Sequence, residues 1–211
     1  RRRALGARVE IVYSPIDAIE LARNNTGREV VFLGVGFETT APGTAAAVLT
    51  ARDAGVKNFS VWSMLKTVEP ALRALMRTED FNIQGFLCPG HVATIIGERG
   101  FEFLPRDCGM PAVISGFEPE DILAAIYLLL RQIAEGEPRI ENEYKRAVAP
   151  EGNILAQKII GECFTPRRDI WRGLGAIENS GLELCPELSD FDAEKKFSVR
   201  YGEDKPGACR C

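Results

Sequence analysis

The chain has one histidine, His91, which stands three positions after Cys88 on a Pro-Gly turn in FLCPGHVATIIG, residues 86–97. An imidazole can carry a proton near neutral pH or ligate a metal. A Cys-x-x-His spacing suits a metal, yet one pair supplies only two of the about four ligands that a closed site needs. The same two residues could act as thiolate and base, although side chains three apart on a tight turn need not point together. Two carboxylates occupy comparable settings: Glu38 in VVFLGVGFETTAP, residues 30–42, and Glu118 in MPAVISGFEPED, residues 110–121. Thr39 and Thr40 follow Glu38 directly. In each segment an apolar run breaks into a Gly-containing loop, with an ionisable residue just past the break.

In a parallel α/β sheet, ligands bind beyond the carboxyl ends of the strands. Glu38, His91 and Glu118 are therefore expected to converge on one edge from three different strands, where carboxylates and an imidazole can do acid–base work or hold a cation. Each residue also has a plainer reading. Glu38 can stabilise the next helix through its dipole, His91 can be a satisfied turn residue, and Glu118 can sit in the first turn of its helix. Three such loops in one chain tip the balance toward a site. The Gly34-x-Gly36 loop resembles a phosphate cradle only in outline, because it has neither the P-loop lysine nor the third glycine of a dinucleotide fingerprint.

The elements that must position these loops follow from periodicity. Residues 9–13 (VEIVY) read as a strand, and Ser14-Pro15 opens a helix as N-cap and first helical residue. Residues 30–35 form a nearly continuous apolar run, as in a strand covered on both faces. An alanine-rich helix over 43–54, a strand over 59–64 and a helix over 69–77 come next. A strand over 83–88, a short helix over 92–96, an extended piece over 101–104 and a strand over 112–114 follow. The longest helix is expected over 119–135, with Ile122, Leu123, Ile126, Leu129, Leu130 and Ile133 along it. Beyond a break at residues 136–138, helices are expected over 141–149 and 153–163, then a hairpin of 169–177 and 182–184 turning at ENSG. From Leu188 onward the chain is polar and reads as a linker. The alternation predicts an α/β fold with mainly parallel sheets flanked by helices.

Of the 211 residues 45% are apolar and 27% charged, which fits a globular protein with a substantial core. A net charge of −4 gives no bulk attraction to nucleic acid or anionic membrane. No apolar run approaches the roughly 18 residues of a membrane span, so a cytoplasmic protein is expected. Six cysteines, Cys88, Cys108, Cys163, Cys185, Cys209 and Cys211, are scattered rather than arranged as a disulfide framework. Cys209-x-Cys211 is half of a metal site, and the others show no regular spacing to it. The chain opens RRRALGARVEIVYSP and closes GACRC, and it reads as a piece of a longer protein.

GFETTAP, CPGHVATIIG, ISGFEPEDIL, the ENEY of residues 141–144 and the terminal GACRC together resemble, in that order, the NiFe-hydrogenase maturation factor HypD family. The resemblance runs over essentially the whole chain. It implies a cytosolic iron–sulfur protein that joins the small chaperone HypC in assembling the Fe(CN)2CO group, with cyanide supplied by HypE. It implies two similar α/β lobes around a cleft and a cysteine-rich module with a 4Fe-4S cluster. On that pattern residues 1–136 form the lobe with the GFETT, PGHV and GFEP loops. Residues 137–187 belong to the other lobe, and residues 188–211 are a linker and the start of the iron–sulfur module. Glu38, Thr39, Thr40, His91 and Glu118 are implied to line the cleft and orient the iron intermediate and partner proteins. Cys211, with Cys209 beside it, is the implied cluster ligand. The family's CPVC-type pair and its remaining cluster cysteines are not in this sequence, so this chain is expected to act as part of a scaffold rather than as a conventional enzyme. Two rivals stand beside that reading: an α/β thiol enzyme using Cys88 and His91, and a non-catalytic module that docks a partner.

Overall fold

A computed structural model of the chain describes residues 5–6 and 8–199. Eight helices and seven strands are formed among these residues. The helices are α1 Pro15–Arg23, α2 Ala41–Asp53, α3 Val68–Leu75, α4 Gly90–Ile96, α5 Phe103–Cys108, α6 Pro119–Glu135, α7 Ile154–Cys163 and α8 Ala193–Lys196. The strands are β1 Val30–Gly36, β2 Phe59–Leu65, β3 Phe86–Pro89, β4 Ala112–Ser115, β5 Ile140–Asn142, β6 Phe164–Trp171 and β7 Gly175–Leu184. The fold is α/β with parallel sheets flanked by helices, as the alternation predicts.

β1 and β2 pair in parallel from Val30–Phe59 to Gly36–Leu65. α1 and α2 pack on this pair, and α2 is built for close approach: Ala41, Ala45, Ala47 and Ala51 are fully buried. Small side chains let the helix lie near the sheet and bury Phe59, Val61 and Leu65 beneath it. α7, the start of β6 and the end of β7 close the same core through Cys163, Phe164, Leu182 and Leu184. Leu188, in the segment that reads as a linker, is buried in this core too, and Ala193 further along that segment is also buried. α1 begins as its sequence dictates. The Ser14 hydroxyl accepts the Ile16 N–H, Asp17 accepts the Ser14 N–H, and Pro15 sits in the first turn.

The second core surrounds a parallel sheet in the order β3-β4-β5. Phe101, Phe103, Leu104, Ala112 and Ile114 fill it. α6 packs against β3 and β4. Its buried Gln132 donates to the Ala112 carbonyl and to Glu141, and accepts the Arg139 N–H, so one side chain ties the helix to β4 and to the entry of β5.

Several expectations fail for local reasons. Residues 9–13 form no strand: they run without regular structure into a bend at Tyr13. Residues 101–104 are helical: Phe101, Phe103 and Leu104 turn inward from a 3-10 turn and α5. Residues 140–142 join the sheet as β5, where a helix is expected over 141–149. The hairpin turns between Trp171 and Gly175, and the ENSG residues lie within β7. β1 is covered on one face only. Val31, Leu33 and Val35 alternate onto the other face and are 38%, 55% and 66% exposed.

Candidate functional site

The loops that follow β3, β4 and β5 meet because those strands are neighbours running the same way. β3 ends at Pro89 and α4 begins at Gly90, which leaves His91 exposed one residue into the helix, its carbonyl accepting the Thr94 hydroxyl at 2.6 Å. β4 ends at Ser115, and Gly116-Phe117 lead to Glu118, the N-cap of α6. The rings of His91 and Phe117 lie 4.2 Å apart, tilted by 33°. Phe117 in turn meets Tyr144 edge-on at 6.1 Å. The PGHV and GFEP loops therefore touch, and Tyr144 of ENEY, just beyond β5, joins them.

Asp121 holds the GFEP turn. It accepts the Glu118 N–H at 3.2 Å and is bound by both terminal nitrogens of Arg146, Nη1 at 2.8 Å and Nη2 closely on the other oxygen. The guanidinium holds this buried carboxyl below the ordinary carboxylate range, against the opposing effect of burial. Glu118 itself is exposed and directly follows Phe117.

Glu38 lies elsewhere. It follows β1 in the other sheet and is buried, 8% exposed, and its Oε1 accepts the Val68 N–H at 2.8 Å at the start of α3. Thus Glu38 does cap a helix, but it is the helix after β2 rather than the helix next to it. Its Oε2 is buried without a hydrogen bond among the described residues. Burial pushes its carboxyl above the ordinary range, more than its backbone hydrogen bonds lower it. Thr39 and Thr40 are exposed, and the Thr40 hydroxyl turns back to the Phe37 carbonyl. Phe37 packs on Trp171 at 6.0 Å, and Lys66, paired with Asp169 at 2.6 Å, lies over the same indole at 5.9 Å. Two strand-end clusters result: His91, Phe117, Glu118 and Tyr144 on one sheet, and Glu38, Thr39, Thr40, Lys66 and Trp171 on the other.

The described cysteines do not make an iron–sulfur site. No three His, Cys, Asp or Glu residues among the described residues are grouped to hold a metal. Cys88, Cys163 and Cys185 are buried free thiols in two different cores. Burial pushes Cys88 up to about 12, which leaves it a thiol at neutral pH and removes it as a nucleophile partnered by His91. Cys209 and Cys211 lie outside the described residues.

The HypD family model, described as the hydrogenase formation hypA family, matches residues 1–211. The chain belongs to the HypD family. It is 46% identical to the hydrogenase maturation factor HypD of Rhodobacter capsulatus over 200 residues, 94% of this chain and 53% of that protein. It is 42% identical to the HypD of Escherichia coli K12 over 99% of this chain and 59% of that protein. A putative hydrogenase expression/formation protein of Methanocaldococcus jannaschii is 39% identical over 98% of this chain and 58% of its own length. This HypD-family chain thus spans just over half the length of these relatives. Phe117, Asp121, Tyr144 and Arg146 are site residues that composition and spacing do not single out. The available signal lies in the motifs themselves, since Phe117 is the aromatic of GFEP and Tyr144 closes ENEY.

Proposed function

We propose that this chain serves in hydrogenase maturation, as part of a scaffold on which the Fe(CN)2CO group is assembled with a HypC-like chaperone and a HypE-like cyanide donor. The observation that carries the reading is the 4.2 Å contact between His91 and Phe117, which joins two of the family's motif loops into one exposed cluster. The iron is cargo in this scheme. His91 and Glu118 present an imidazole and a carboxylate to solvent at the ends of adjacent strands, groups that can hydrogen-bond and orient an incoming iron complex or the partner that carries it. Glu38, Thr39 and Thr40 serve the second cluster, where two exposed threonines follow a buried carboxyl. Cys211, with Cys209, belongs to the 4Fe-4S ligand set of the full-length protein in this reading. No helix among the described residues is long and apolar enough to cross a membrane, and the proposed location is the cytoplasm.

The experiment is complementation. A full-length protein carrying this chain is expressed in cells that lack their own HypD, and hydrogenase activity is measured. His91→Ala and Glu118→Ala should each abolish maturation while leaving the protein folded and abundant. Wild-type activity from both variants would overturn the assignment.

A further inference from the structure

We infer that Tyr144 and Arg146, just after β5, are positioning residues that set the mutual geometry of the PGHV and GFEP loops and thereby hold His91; the functional half of this inference rests on the maturation reading above.

The Tyr144 ring is wedged between the two loops. A Cβ added at Gly90 would come within 2.9 Å of Tyr144 Cδ1 and 2.5 Å of the Ser115 carbonyl oxygen. A Cβ at Gly116 would come within 2.7 Å of Tyr144 Cδ2 and land on the Asp121 carboxylate. Neither glycine needs a left-handed backbone, because neither has a positive φ. At both positions the space a side chain would need is closed by the Tyr144 ring together with a nearer group, the Ser115 carbonyl at Gly90 and the Asp121 carboxylate at Gly116. Gly90 immediately precedes His91, and Gly116 immediately precedes Phe117, so the two residues in ring contact each follow a glycine that lies against the wedge.

Arg146 fixes the wedge from outside. Its guanidinium lies 4.5 Å from the Tyr144 ring centroid and binds Asp121 with both terminal nitrogens. Asp121 accepts the N–H of Glu118. One guanidinium therefore links the ENEY ring to the backbone of the GFEP turn, and the ring path continues from Tyr144 through Phe117 to His91. The Arg146 side chain is 54% exposed while its partner Asp121 is buried, so glutamine is the replacement of choice, because its amide keeps a donor for the carboxylate. The Tyr144 ring makes the contacts above, so phenylalanine should substitute and leucine should not. The arrangement explains why three motifs, on strands adjacent in space but far apart in sequence, act as one unit.

The test uses the full-length protein with 13C-labelled histidine, the His91 resonance being assigned by its loss in His91→Gln. Phe117 shifts the His91 ring signals through its ring current, so their position reports the loop geometry. At one fixed pH, Tyr144→Phe should keep both the His91 shift and hydrogenase maturation. Tyr144→Leu and Arg146→Gln should move His91 toward the free-histidine position and lose maturation, with the protein still folded by circular dichroism. If Tyr144→Leu does not fold, Arg146→Gln carries the test alone. An unmoved His91 signal in folded Tyr144→Leu or Arg146→Gln overturns the inference. Loss of maturation in Tyr144→Phe with His91 unmoved also overturns it, because the hydroxyl rather than the wedge would then matter. A moved signal with normal maturation upholds the positioning and overturns the functional reading on which it rests.

Discussion

Replacing Glu38 separates its structural role from its charge. Its carboxylate accepts the Val68 N–H at 2.8 Å, and Thr67, the N-cap of α3, makes no side-chain capping bond of its own. Glu38→Ala therefore leaves the first turn of α3 without a side-chain acceptor, at a cost of about 1 kcal/mol for a lost cap. In a chain of this size that corresponds to about 2–4 °C in Tm. Glu38→Gln keeps an acceptor oxygen but removes the titration. Burial raises the Glu38 carboxyl in the folded state, so between the unfolded and folded values the native chain holds a proton that the unfolded chain has lost. Stability from this group is present in full below the unfolded value and falls as pH rises through the folded value. Thermal melts from about pH 4 to about pH 8 on wild type and both variants measure this directly. Glu38→Gln should lack the wild-type loss of stability with rising pH, and Glu38→Ala should melt lower than wild type. A Glu38→Ala variant that melts with wild type, or a Glu38→Gln variant that keeps the full wild-type pH dependence, would refute this role for Glu38.

Two further outcomes follow from burial and backbone geometry. Cys88, buried and pushed up to about 12, should alkylate far more slowly at neutral pH than the half-buried Cys108; equal labelling rates mapped by peptide mass spectrometry would restore the thiol-enzyme reading. Gly36 has a φ of +147°, and a Cβ there would run into the Thr40 side chain. Gly36→Ala should therefore lower stability by about 1–3 kcal/mol, and an unchanged denaturant midpoint would contradict the GFETT turn described above.

Elements whose signals are local were legible. α6 runs over the residues expected from its apolar stripe, between a proline in the first turn at Pro119 and Gly136 with a φ of +69°. α1 is marked by Ser14 and Pro15. Signals that depend on a partner were not. The VEIVY segment has strand composition, but a strand exists only when another pairs with it. Phe101, Phe103 and Leu104 are a short apolar run, and short runs do not distinguish a strand from a helix. ENSG has turn composition, yet the chain does not turn there. The turn lies instead around Gly173, with a φ of +86°, and Gly181 stays in the strand, where Asp169 occupies the space a Cβ would take.

The candidate site shows the same division. That His91, Glu118 and Glu38 follow strand ends could be read from apolar runs breaking at glycine. Which loops meet depends on sheet order, and one sequence does not encode that visibly. β3, β4 and β5 are adjacent, so PGHV, GFEP and ENEY come together. Glu38 follows a strand of the other sheet and caps α3 instead. The contribution of Arg146 was hidden for another reason: its carboxylate partner is 25 residues away in sequence, and only the fold makes them neighbours.

The most direct measurement is the proximity of His91 to Phe117 in solution, read as nuclear Overhauser contacts between their ring protons in the full-length protein. The 4.2 Å ring separation predicts strong cross-peaks that vanish in Phe117→Leu. Absence of those cross-peaks in the folded wild-type protein would mean that the PGHV and GFEP loops do not form one site.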